Sequence, residues 1–78
     1  MFGLDRLAKD RSAFVETVLP SDNMAKRFYD LGIVKNTKIK CVGFNPGGNM
    51  GMYEFRGTVI AIRKSDSAGI IVREAQNG

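Results

Sequence analysis

Short runs rich in β-branched and aromatic residues recur along the chain as candidate strands, and at Lys38–Cys41 polar and apolar residues alternate with a period of two. The first such run spans Ala13 to Leu19, where Phe14, Val15, Thr17 and Val18 favour a strand that Pro20 ends. One stretch then departs to helical spacing. Ser21 or Asp22 offers an N-cap oxygen, and Met24, Phe28 and Leu31 recur at i, i+4 and i+7 as one apolar stripe. Lys26, Arg27 and Asp30 fall on the opposite face. Gly32 stops the helix because glycine enters the left-handed conformation without steric cost, and Ile33 is placed to fold back onto Phe28. After a Lys35-Asn36 turn, Thr37 to Phe44 reads as a strand with Ile39 and Cys41 on one face and Lys38 and Lys40 on the other. Asn45-Pro46-Gly47-Gly48-Asn49 is a loop. Beyond it lie a strand ending at Phe55 with Tyr53 and Phe55 on one face, an Arg56-Gly57 hairpin turn and a strand from Thr58 to Arg63. A turn or single helical turn over Ser65–Gly69 precedes a last strand at Ile70-Ile71-Val72. Leu4 and Leu7 sit among charges within residues 1–12, an N-terminal turn or lid pinned by that pair. The pattern predicts a mainly β fold: a small, highly curved sheet or barrel of about five strands with one short inserted α-helix.

Seventy-eight residues allow one domain over 1–78, with a core expected at about 13–73. Ordering costs about 1.5 kcal/mol per residue, so a chain this short has little to spend on deep clefts. One cysteine and no histidine exclude an internal disulfide, a zinc site of the cysteine–histidine kind and a histidine-based triad. A lone Cys41 suits a reducing compartment. The net charge of +4 is mild and scattered, with Lys26-Arg27 and Arg63-Lys64 as adjacent pairs and no basic tail. Charge at Asp5 and Arg6 argues against a secretory signal, and Thr58 to Ile62 falls far short of a membrane span. These features predict a soluble, cytoplasmic protein.

Candidate chemistry narrows quickly. A hard metal site wants converging carboxylates and imidazoles, whereas the acids are spread over Asp5, Asp10, Glu16, Asp22, Asp30, Glu54, Asp66 and Glu74. Met50, Met52 and Cys41 would form a soft site only if they met, and they read more simply as packing. Neither a metal site nor a cofactor is expected. Alternation turns Lys38 and Lys40 away from Cys41, and there is no histidine base, so Cys41 reads as core and no catalytic residue is assigned. The Pro46-Gly47-Gly48 loop lacks the lysine and helix of a phosphate loop. Nucleic acid would require Lys38, Lys40, Arg56, Arg63 and Lys64 to gather beside an exposed Tyr53 or Phe44, and alternation puts Tyr53 in the core. Protein binding fits better. Lys26, Arg27 and Tyr29 on the helix include residue types enriched at interface anchors, and Pro46, Gly47 and Gly48 form a loop that a partner's backbone can approach.

The segment Arg27-Phe28-Tyr29-Asp30-Leu31-Gly32-Ile33-Val34, with Lys35-Asn36-Thr37 after it, resembles the "RRLxELGLVPGT" segment of the FeoA family, ferrous iron transport protein A. Pro46 and Gly48 match its P-x-G loop, Gly57 its hairpin glycine, Ile60-Ala61-Ile62-Arg63 the strand after that glycine, and Ile70-Ile71-Val72 the closing one. The spacing holds without a gap from Arg27 to Val72. Departures are Lys35-Asn36 for Pro-Gly, Lys9-Asp10-Arg11 for an opening glycine turn, Met50 for a proline and Ser67 for an alanine. The resemblance implies an SH3-like β-barrel and a non-enzymatic, cytoplasmic accessory of iron homeostasis. Its implied partner is the FeoB-type ferrous iron transporter, a membrane protein with a cytosolic GTP-binding domain. The same fold occurs as the C-terminal domain of iron-dependent repressors, so the alternatives are a related regulatory module or a small nucleic-acid-binding barrel. Self-association through an exposed strand edge is a further expectation.

Overall fold

The strand-like segments pair into one antiparallel sheet in a computed structural model that describes residues 1–19 and 24–75. The strands are β1 (Phe2–Gly3), β2 (Ser12–Val18), β3 (Lys38–Phe44), β4 (Met50–Phe55), β5 (Thr58–Arg63) and β6 (Ile70–Glu74). They lie in the order β1-β6-β2-β3-β4-β5, curled into a barrel-like wall. The eight-residue helix α1 (Met24–Leu31) is inserted between β2 and β3, and a single turn, α2 (Lys64–Ser67), joins β5 to β6. The N-cap expected at Ser21 or Asp22 lies outside the described residues.

Alternation decides which side chains enter the barrel. Along β3, Ile39 and Cys41 are fully buried while Lys38 and Lys40 face solvent, and along β4 Tyr53 and Phe55 are buried. Two bulges interrupt the rhythm. Glu16 is an extra residue between the β2–β6 pairs Val15–Val72 and Thr17–Ile71, and Val42 is extra between Cys41–Tyr53 and Gly43–Met52. A bulge bends its strand and sharpens the twist, which is how so few strands curl round a core. The first bulge leaves Glu16 beside Arg73 at 2.9 Å and Lys35 at 3.5 Å, and Arg73 also lies 5.3 Å from the Phe14 ring centroid.

The N-terminal segment adds to the five expected strands. Phe2 and Gly3 pair with Val72 and Ile71, and a 3-10 turn over Leu4–Arg6 comes next. Leu4 and Leu7 are fully buried, so the hydrophobic cluster begins well ahead of residue 13. The Tyr53 hydroxyl donates to the Leu4 carbonyl at 3.3 Å and joins the opening turn to β4. Its ring lies over Gly51, where an added Cβ would come within 2.6 Å of Tyr53 Cζ. Gly51 therefore supplies the space that the tyrosine occupies.

The helix ends as its residues dictate. Gly32 has φ of +96°, its N–H donates to the Tyr29 carbonyl at 2.9 Å, and the Ile33 N–H donates to the Phe28 carbonyl at 2.9 Å. That is a Schellman closure, with buried Ile33 packed back toward buried Phe28. The expected stripe is narrower than its spacing suggests. Phe28 is the one buried residue of α1, Met24 is partly buried, and Leu31 is 52% exposed. With only two turns, the helix buries Phe28 and packs Met24 at the margin of the core, and Leu31 is left beside a surface groove.

Candidate docking groove beside the open edge strand

Helix α1 stands away from the sheet along one side, and a groove of about 350 Å³ runs between it and β5. Met24, Arg27, Phe28 and Leu31 form the helical wall, the i, i+3, i+4, i+7 set of one face. Met50 and Ile60–Arg63 form the opposite wall, and Asp66 of α2 sits at the Arg63 end. Outside the groove lining, the Arg56 guanidinium reaches the helix C-terminus, lying 3.3 Å from where a Gly32 Cβ would be. A cation there complements the unpaired carbonyls of the last helical turn.

The groove has an apolar floor and a basic rim. Leu31 is more than half exposed, and Ile60 and Met50 are partly buried. Arg27 and Arg63 enter no ion pair among the described residues, whereas Arg11, Lys35 and Arg73 do. β5 is also an edge strand. Its hairpin with β4 closes through Arg56 (φ +53°) and Gly57 (φ +79°), the type I′ geometry that matches strand twist. The Phe55–Thr58 pair closes a two-residue turn, so by alternation Thr58, Ile60 and Ile62 bond to β4. The peptide groups of Val59, Ala61 and Arg63 then face the open edge, with no backbone partner there among the described residues.

The expected site residues fall in several places. Arg27, expected opposite the apolar stripe, instead lines the groove beside β5 with Met24, Phe28 and Leu31, because i+3 from Met24 returns to the same side of the helix. Tyr29, 70% exposed, lies on the other side of the helix in a separate depression with Val18, Ala25, Ile33 and Val34. Two residues along a helix rotate about 200°, so Arg27 and Tyr29 do not share a surface. Lys26 is exposed and lines neither hollow. Pro46, Gly47 and Gly48 form an exposed turn held by Asn45, whose side chain donates to Asn49 Oδ1 at 2.6 Å and accepts from the Met50 N–H at 3.1 Å. The base of that loop meets the groove at Met50, but its tip does not. Met50 and Arg63, expected as packing and as a nucleic-acid candidate, and Ile60 and Ala61, expected only as strand residues, are brought opposite α1 from a distant part of the chain. The available signal was the run Val59-Ile60-Ala61-Ile62, apolar at every position where a strand with one solvent face would alternate.

Other chemistries find less support. Cys41 is buried, and burial pushes its thiol above the ordinary value; its S–H points to the Gly43 carbonyl at 3.8 Å. No group of three or more potential metal-ligating His, Cys, Asp or Glu side chains occurs among the described residues. The basic residues considered for nucleic acid divide. Lys38, Lys40 and Arg56 share a shallow hollow with Glu54, while Arg63 lines the groove. Tyr53, 1% exposed, offers no stacking face. No helix among the described residues is long and apolar enough to cross a membrane.

Fold and groove together define a small SH3-like barrel with an inserted helix. The FeoA domain model matches residues 2–74, and on that match the chain belongs to the FeoA family. Among solved structures, the FeoA-like protein of Clostridium acetobutylicum is 26% identical, with a TM-score of 0.89 over 99% of this chain and 90% of that one. FeoA of Stenotrophomonas maltophilia, solved with zinc and described as a prokaryotic SH3-domain protein suggested to activate ferrous iron transport, is 30% identical. Its TM-score is 0.84 over 94% of this chain and 91% of that one. A manganese-dependent transcriptional repressor shares the fold at 15% identity and TM-score 0.85, over 94% of this chain and 36% of the repressor. A comparison with curated proteins gives no match.

Proposed function

We propose that this protein is a non-catalytic, cytoplasmic accessory of ferrous iron uptake that acts by binding the cytosolic part of the FeoB-type transporter. The observation that carries this reading is the groove between α1 and β5 in a chain of the FeoA family: an apolar floor with, on its rim, arginines that form no ion pair among the described residues. Exposed apolar surface rimmed by charge is how a protein-binding face is built. The barrel supplies a rigid platform, and α1 is seated by buried Phe28 with Met24 packed at the core's margin, so the groove wall has few anchors and can adjust to a partner. Binding would bias the transporter's GTP-binding domain toward one conformation by its difference in affinity for the two states. GTP hydrolysis and iron passage belong to the transporter.

Amide-shift titration of the labelled protein with the transporter's cytosolic GTP-binding domain tests this. Shifts clustered at Arg27, Leu31, Met50 and Ile60–Arg63 are expected. Shifts confined to the Pro46–Gly48 tip or to Tyr29 would move the contact elsewhere on the barrel, and no response would remove that domain as partner.

A further inference from the structure

Resting on that reading of the groove, we infer that its occupant is an extended, acidic segment of a partner protein that adds to the open edge of β5 as one more strand of the sheet. The two sheet edges are unequal. β1 is a two-residue strand, too short to template another chain, whereas β5 is six residues long. β5 also pairs with β4 in unbroken register, without a bulge. Thr58-Val59-Ile60-Ala61-Ile62 carries no proline and no charge, the devices that normally blunt an edge, and the first charge is Arg63. The peptide groups of Val59, Ala61 and Arg63 therefore form a ready ladder. α1 lies alongside and supplies a second wall, so an incoming strand would bond to β5 and lay alternate side chains against Leu31, Ile60 and Met50.

Charge selects the occupant. Arg27 and Arg63 flank the groove, Lys64 is next in the chain, and Asp66 is the one carboxylate in the lining among the described residues. A second copy of this chain, with net charge +4, would bring the same arginines against these. A segment alternating carboxylates with β-branched residues meets them with opposite charge and keeps strand geometry.

The test uses two capped synthetic hexapeptides, alternating Glu-Val and alternating Lys-Val, titrated into the labelled full chain to about 1 mM, the weak end of useful affinity. The transporter's cytosolic domain is run in parallel. Hydrogen exchange is read at the Val59, Ala61 and Arg63 amides. The Glu-Val peptide is expected to protect these three amides, with little effect from the Lys-Val peptide. Ala61→Pro deletes one outward donor and should weaken binding about tenfold. Arg27→Glu, on the helix and outside the sheet, should do the same if the proline variant fails to fold. Shifts on α1 without protection on β5, equal binding of both peptides, protection by raised protein concentration alone, or no binding would each overturn the inference. A transporter domain that binds without protecting β5 would leave the accessory role intact and refute strand addition. Protection by the acidic peptide with no transporter binding would do the reverse.

Discussion

Removing the Tyr53 hydroxyl is a sharp test of how the N-terminal turn is held. In Tyr53→Phe the ring keeps its place over Gly51, and one neutral hydrogen bond of 3.3 Å to the Leu4 carbonyl is lost. An orphaned buried carbonyl costs about 1–3 kcal/mol, but Leu4 keeps a bond from the Leu7 N–H at 3.0 Å. The neighbouring Ser67 hydroxyl keeps its donation to the Lys64 carbonyl at 3.1 Å. The expected cost is therefore that of a single net hydrogen bond, about 0.5–1 kcal/mol. In a chain of this size that lowers the melting temperature by roughly 2–8 °C. The variant also has a pH signature. Burial raises the Tyr53 phenol above its ordinary value of 10.0, partly offset by the Ser67 hydroxyl. Above pH 10.0 the unfolded chain has released a proton that the folded chain still holds, so wild-type stability falls as pH rises. Cys41, raised by burial from 9.0, adds a component of the same sign that begins earlier and is common to both proteins. Urea melts at pH 7 and at a series of points above 10 should show the wild-type advantage shrinking and then reversing. A loss above about 2 kcal/mol at pH 7 would refute the argument that Leu4 stays satisfied. A difference between the proteins that does not change with pH would refute the buried phenol.

Three other substitutions probe the fold. Phe28→Ala removes the one buried residue of α1, and eight residues are too few for a free helix, so α1 should undock while the barrel persists. Hydrogen exchange would show α1 amides losing protection with β3 and β4 retained; simultaneous loss would make the helix part of the cooperative core. Gly51→Ala drives a Cβ into the Tyr53 ring and should cost about 1–3 kcal/mol as overpacking, with Tyr53→Leu in the same chain restoring part of it; a neutral Gly51→Ala in a denaturant melt would contradict the packing. Glu16→Gln loosens the partly exposed pairs to Arg73 and Lys35 and should cost about 0.5–1 kcal/mol at low salt, less at 1 M; a salt-independent loss would point to packing of the bulge instead.

Much of this fold is written in local pattern. The alternation of Ile39 and Cys41 against Lys38 and Lys40, and the shared face of Tyr53 and Phe55, arise from the pleat of a strand and hold in the structure. Gly32 and Ile33 close the helix because the closure needs only a glycine and an apolar residue after it. Local pattern leaves out the long-range terms. Two residues at Phe2–Gly3 have no periodicity to read, and their strand exists only because β6 is there to pair with it. The bulges at Glu16 and Val42 change the facing of the residues beyond them, and no residue type announces them. The groove was the least legible part. It joins Arg27 and Leu31 to Met50 and Ile60–Arg63 across the fold, and Tyr29, a contact candidate on the same helix by residue type, falls outside it.

The groove is tested most directly by calorimetric titration of the transporter's cytosolic GTP-binding domain with two charge-matched double variants. Arg27→Glu/Arg63→Glu reverses both groove arginines, and Lys26→Glu/Lys38→Glu reverses two exposed cations outside the groove. Urea melts serve to show that both remain folded. The groove variant should bind about tenfold or more weakly, and the control within about twofold of wild type. Equal losses in the two variants would reduce the contact to net charge, and unchanged affinity in the groove variant would remove the groove from the function.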